Sequence, residues 1–230
     1  MFKAFFSYLR APQEHLGIRT SFKGILQSAF LIITIDIALI ILLLLVEYGL
    51  PAIFPGLAAP SSHPDVKGPW WIVALLGPIY EECTFRLWLK RYKFYIALGL
   101  ILLTYMILSV FIMPNHPGTL YATRQLPLRI AISIVAGLLL YIPLNKPVSD
   151  CRFSVVFYAP AIVFGLMHLI NIHPAEMHLL DYVSVTLYTA HKIVSGLAYG
   201  YIRIKEGFGV NTGIHIANNL VPTLLGGIFF

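Results

Sequence analysis

Three short polar patterns interrupt an otherwise apolar chain, and their residue types suit acid–base chemistry. They are Glu81-Glu82-x-x-x-Arg86, Phe164-x-x-x-His168 and His215-x-x-x-Asn219. On a helix, residues four apart share a face, whereas adjacent residues point about 100° apart. The spacing predicts that Glu82 meets Arg86, with the glutamate N-terminal to the arginine, the more favourable order. Glu81 is then left on another face without a partner on its own helix, which makes it a candidate for proton transfer. Phe164 and His168 share a face, and Gly165 between them permits close helix approach. His215 and Asn219 likewise share a face and offer one imidazole and one amide. A carboxyl, two imidazoles and an amide suffice to activate water and stabilise an oxyanion in acyl transfer. Each pattern also has a plainer reading: an ion pair that ties helices together, a packing histidine, and an interhelical hydrogen-bond pair. The chain has no Gly-x-Ser-x-Gly turn and no His-Glu-x-x-His, so serine-nucleophile and thermolysin-like readings have little support.

The elements that must hold these residues follow from composition. Of 230 residues, 58% are hydrophobic and 11% charged, against about 25% charged in soluble domains. Seven apolar runs result: Gly24–Tyr48, Trp70–Leu89, Phe94–Met113, Leu126–Leu144, Phe153–Ile170, Tyr182–Ile204 and Val210–Phe230. Most approach the roughly 20 residues that a helix needs to cross about 30 Å of hydrocarbon. Backbone groups in lipid must be satisfied within the segment, so the runs read as helices. The expected fold is all-α, a polytopic transmembrane helix bundle of about seven spans in a single domain over residues 1–230. The last run carries Asn211, Thr212, His215, Asn218, Asn219 and Pro222, so it must face protein rather than lipid. A charged side chain at the bilayer centre costs roughly 2.5–3.5 kcal/mol, so Glu81, Glu82 and Arg86 need partners or a chemical role.

A net charge of +6 could point to nucleic acid, but its distribution points to a membrane. Lys3, Arg10, Arg19, Lys23, Lys90, Arg91, Lys93, Lys146, Arg152, Arg203 and Lys205, 11 of the 16 basic residues, fall on one side if the spans alternate. Lys67, Arg124 and Arg129 fall on the other. The positive-inside rule then places the N-terminus in the cytoplasm and the C-terminus opposite. Residues 1–23 lack the apolar core and cleavage site of a signal peptide. Phe2, Phe5, Phe6 and Leu9 recur at helical spacing beside Lys3 and Arg10, which suggests either a short helix in the cytoplasmic interface or a partly ordered basic tail. Cys83 and Cys151 lie in a span and at a span end, so neither a disulfide nor a zinc site is expected. Pro51–Pro69 and Pro114–Gln125 read as loops outside the membrane.

The three patterns, in this order and on separate apolar segments, resemble the motifs of the Abi family. This is the family of glutamate-dependent intramembrane proteases that includes CAAX prenyl proteases and bacteriocin-processing and immunity proteins. The likeness runs from Glu81 to Asn219 and rests on the motif positions. It implies a multi-helix membrane fold in the plasma membrane of a prokaryote and an endopeptidase acting on a membrane-associated peptide or protein, lipidated or not. Glu81 would activate water, His168 would hold or polarise it, and His215 and Asn219 would bind the oxyanion. Glu82, Arg86 and Phe164 would support them. No cofactor is required; were a metal present, Glu81, His168 and His215 would be its ligands. The second motif comes later here than is usual in the family, because Phe94–Met113 and Leu126–Leu144 intervene. Depth is a further test. At 1.5 Å per residue, Glu81 and His215 lie about 14–15 Å from the nearest basic edge, and His168 about 24 Å.

Two other classes compete. Asp36 lies in the first run and His191-Lys192 in the sixth, and intramembrane ionisable residues also mark ion pathways. A proton-coupled transporter with an Asp36–Lys192 pair is one alternative, although no inverted repeat of hydropathy supports it. A non-catalytic immunity or scaffold protein that keeps the fold is the other.

Overall fold

A computed structural model describes residues 1–16, 20–54, 56–57, 60, 69–112, 125–172 and 177–224. The loops expected at Pro51–Pro69 and Pro114–Gln125 lie largely outside these residues, as do Arg19, Lys67 and Arg124. Among the described residues every element is helical. Helix α1 spans Phe2–Arg10 and α2 Phe22–Ile53, with a π-helical turn at Leu45–Gly49. A π-helical turn at Ile72–Leu76 leads into α3, Gly77–Arg86, and a 3₁₀ turn at Leu87–Lys90 follows it. Then come α4, Lys93–Ile107, α5, Leu126–Asp150, and α6, Phe153–Met167, which ends in a 3₁₀ turn from His168 to Asn171. The last two are α7, Leu179–Glu206, and α8, Phe208–Leu224.

Four of these segments are long and apolar enough to cross a membrane: Phe22–Ile53, Lys93–Ile112, Leu126–Asp150 and Phe153–Ile170. Of the other three apolar runs, Trp70–Leu89 and Tyr182–Ile204 are helical and Val210–Phe230 is helical through Leu224, beyond which lie residues outside those described; all three carry charged or amide residues. Helix α5 continues six residues past the expected Leu144, through Pro143 and Pro147. Prolines are tolerated in such helices because neighbouring groups can satisfy the freed carbonyls.

Helix α7 is the hub. It packs against α1, α2, α6 and α8, while α3 touches α4, α6 and α8, and α4 pairs with α5. Small residues set the α6–α7 spacing. A Cβ added to Gly165 would lie 2.3 Å from Ile193 Cγ1 and 2.8 Å from the Ile193 backbone nitrogen. Backbone cannot yield as a side-chain tip can, so Gly165→Ala should lower stability by roughly 1–3 kcal/mol. Thermal unfolding in detergent would measure this.

Contacts gather one set of helix ends. Thr20 Oγ1 donates to the carbonyl of Glu206 at 3.0 Å. Arg91 donates to Glu14 Oε2 at 2.7 and 3.1 Å, and to the carbonyls of Ser149 at 3.0 Å and Cys151 at 3.1 Å. Arg91 holds a left-handed backbone, φ 43°, which is disfavoured for a residue with a Cβ, and these four bonds hold it there. The chain start, the start of α2, the turn after α3, the α5–α6 junction and the end of α7 thus share one end, with the basic residues of those segments. Helix α1 is not a free tail. Phe5 and Tyr8 are buried against Phe157 and Tyr201, and Phe6 is exposed. Burial pushes the Tyr8 hydroxyl up from its ordinary range. Arg91→Ala should release residues 1–16 and speed proteolysis after Arg10 several-fold, a local opening readable by timed digestion.

Candidate functional site

The π turn before α3 has a local cause. Gly77 N–H reaches back five residues to the Ile72 carbonyl. In that register the next N–H would close on Val73, but the next residue is Pro78, which has none. The freed Val73 carbonyl accepts instead from Asn219 Nδ2 on α8 at 3.4 Å. The residue that breaks the α3 hydrogen-bond ladder therefore also helps attach α3 to α8.

Below this joint lie the two glutamates. Glu82 is fully buried, and Arg86 is 2% exposed. The expected Glu82–Arg86 pair is present, with Nη1 3.7 Å from Oε1. Glu82 does more than balance the arginine. His215 Nδ1 lies 2.8 Å from the same Oε1, and Asn211 Nδ2 donates to Oε2. A carboxylate at Nδ1 assigns the donated proton to that nitrogen and leaves Nε2 facing the other way. Nε2 faces Glu81, whose Oε2 is 3.6 Å from it. The imidazole thus stands between the two carboxyls, hydrogen-bonded to one and just beyond hydrogen-bond reach of the other. Glu81 is the more open of the pair, its side chain 26% exposed.

Aromatic rings close the site. Tyr199 stacks on His215 with centroids 4.2 Å apart and planes 23° apart. Phe164 is buried under the Arg86 guanidinium, 4.1 Å from its centroid, and also touches Phe85 and His215. A desolvated cation over a ring face gains roughly 2 kcal/mol, which helps offset the burial of Arg86. His168 follows one turn later, its ring 4.6 Å from that of Phe164. Its Nδ1 lies 2.8 Å from the Phe164 carbonyl, so Nδ1–H donates there and Nε2 is left open.

The structure therefore brings Glu81, Glu82, Arg86, Phe164 and His215 together, with His168 at the edge of the group. On α6 it is Phe164 that lies level with Arg86, and His168 stands a turn farther from the basic end, as its depth suggests. Asn219 is a turn beyond His215 with its amide donated to Val73, and the amide that reaches a glutamate is Asn211. Asn211, His215 and Asn219 form a single i, i+4, i+8 stripe, so the spacing already contained the signal for Asn211. Tyr199 carries no comparable signal in a helix with several tyrosines. Among the described residues, no three His, Cys, Asp or Glu side chains are arranged to hold a metal ion. Cys83 and Cys151 do not pair.

The Asp36–Lys192 pair of the transporter alternative does not form. Asp36 Oδ1 lies 2.6 Å from His191 Nε2, and Lys192, turned about 100° around α7, lies 5.3 Å from the centre of the Tyr188 ring. No family model, no curated protein and no solved structure gives a significant match to the chain.

Proposed function

We propose that this chain is an intramembrane endopeptidase in which Glu81 activates a water molecule beside His215. The observation that carries the reading is the placement of His215, with Nδ1 at 2.8 Å from Glu82 and Nε2 at 3.6 Å from Glu81. An imidazole oriented by one carboxylate presents its second nitrogen in a fixed direction, the logic of an oriented catalytic base. A water or substrate oxygen beside Glu81 would meet both a carboxylate and this nitrogen.

In the proposed reaction Glu81 takes a proton from water as the oxygen attacks the scissile carbonyl carbon. A C–O bond forms and the carbonyl electrons move onto oxygen. With the Nδ1–H of each histidine committed, the Nε2 atoms of His215 and His168 are acceptors that can hold the attacking water; His215 donates to the developing oxyanion as the imidazolium, with a proton on Nε2, and the Asn219 amide lies a turn away. Collapse breaks the C–N bond, and Glu81 returns its proton to the leaving amine. The substrate is a membrane-associated peptide or protein, lipidated or not. We extend the reading to the whole bundle: α2 to α8 supply seven spans, the basic end faces the cytoplasm, and the C-terminus lies opposite. The likeness of the three motifs to the Abi family supports the same activity.

The test compares the termini of membrane peptides in cells carrying wild type or Glu81→Gln. New C-termini present only with wild type support the reading. Identical termini at equal expression overturn it.

A further inference from the structure

Asp36 sits in the most apolar helix of the chain, where α2 bears no other charged residue between Lys23 and Glu47. At 1.5 Å per residue it lies roughly 16–20 Å from either. Its partner is His191 on α7, with Nε2 to Oδ1 at 2.6 Å; the histidine side chain is 7% exposed and the aspartate 22%. Ser195, one turn along α7, brings its hydroxyl within 3.2 Å of the same Nε2. The other ring nitrogen, Nδ1, is buried and meets no hydrogen-bond partner among the described residues.

This arrangement has two protonation states, one proton apart. With one proton, on Nε2, the pair is negative, and Nδ1 is a bare acceptor. With a second proton the pair is neutral, either as imidazolium and carboxylate or as imidazole and carboxylic acid, and Nδ1 becomes a donor. Apolar surroundings favour the neutral state because an uncompensated charge at this depth is costly. A pair serving only to bolt α2 to α7 would gain from a second partner that fixed Nδ1, as ring nitrogens opposite a carboxylate usually have.

We propose that Asp36 and His191 form a second intramembrane site, separate from the Glu81 centre, whose ligand is a single exchangeable proton taken up at His191 Nδ1. The charged and titratable groups that act on it are Lys192, beside His191, and Tyr199, which faces Asp36, both on α7. Neither takes the place of Asp36 at Nε2. Asp36 is also the partly open member, so the carboxyl can be reached from the apolar side. The proposal does not depend on peptidase activity.

Dicyclohexylcarbodiimide is the probe, since it reacts with protonated carboxyls in apolar surroundings. Purified wild-type protein in lipid nanodiscs would be labelled across about pH 5 to pH 9, the range in which histidine charge changes, and the modified residue mapped by mass spectrometry. Labelling at Asp36 should fall about tenfold with rising pH, as one proton leaves. His191→Gln should displace or flatten that curve, with Asp36→Asn as the blank. Labelling of Asp36 that falls identically in His191→Gln overturns the proposal; a pair that takes up its proton as imidazolium and carboxylate leaves Asp36 unlabelled, and the spectra that follow then decide. Histidine-selective ¹⁵N spectra of the wild type give a second reading that needs no variant to fold. His191 Nδ1 should pass from unprotonated to protonated as pH falls, and a constant state would likewise overturn the proposal.

Discussion

Glu81→Gln should abolish peptide cleavage and leave the bundle folded. Glutamine keeps the shape of the side chain but cannot accept a proton from water, and loss of a general base costs on the order of 10²–10⁴-fold in rate. The structural cost should be small. Glu81 is partly open, and its 3.6 Å approach to His215 is longer than a hydrogen bond. Its replacement leaves Arg86, Asn211 and the Nδ1 bond of His215 untouched, because all three belong to Glu82. We expect the unfolding free energy to stay within about 1 kcal/mol of wild type. Cleavage assays and thermal unfolding on the same preparation would check both halves.

Glu82→Gln should behave differently, with losses in both stability and activity. Glu82 is fully buried and serves three groups at once. A glutamine oxygen can accept from His215 or from Asn211, but its amide end only donates, so one of the two loses its partner. Arg86 also loses the carboxylate that balances it, and breaking one partner of a buried pair costs roughly 3–5 kcal/mol. With His215 no longer held at Nδ1, its Nε2 loses the fixed direction toward Glu81. The expected fall in rate is on the order of 10²-fold or more. Denaturation in detergent and cleavage by the folded fraction would separate the two effects. Equal stability of Glu82→Gln and wild type would remove Glu82 from its supporting role.

Much of this arrangement was legible in the sequence. The apolar runs mark the helices because lipid permits few alternatives for a buried backbone. Four-residue spacing identifies the faces of Glu82, Phe164 and His215, and buried charge in an apolar run marks where helices must meet. The division of labour between the glutamates was only half legible. Local spacing assigns Glu82 to Arg86, but that His215 and Asn211 also converge on Glu82 depends on how α8 packs against α3. The same limit applies to the Asp36–Lys192 pair of the transporter alternative. Adjacent residues on α7 face different neighbours, and only packing decides that His191 meets α2. Tyr8 escaped notice because its burial comes from contacts with α6 and α7, distant in the chain. The π turn at Ile72–Leu76 reflects Pro78 together with the distant Asn219, and only the first is visible locally.

The central claim is that water held by Glu81 and His215 is the nucleophile. It is tested most directly by hydrolysis of an identified substrate peptide with purified, reconstituted protein in ¹⁸O-labelled water. A single turnover by wild type should place one ¹⁸O in the new carboxyl terminus with no covalent acyl-enzyme, and Glu81→Gln should yield no product. Cleavage by Glu81→Gln at the wild-type rate, or a trapped acyl-enzyme in wild type, would contradict it.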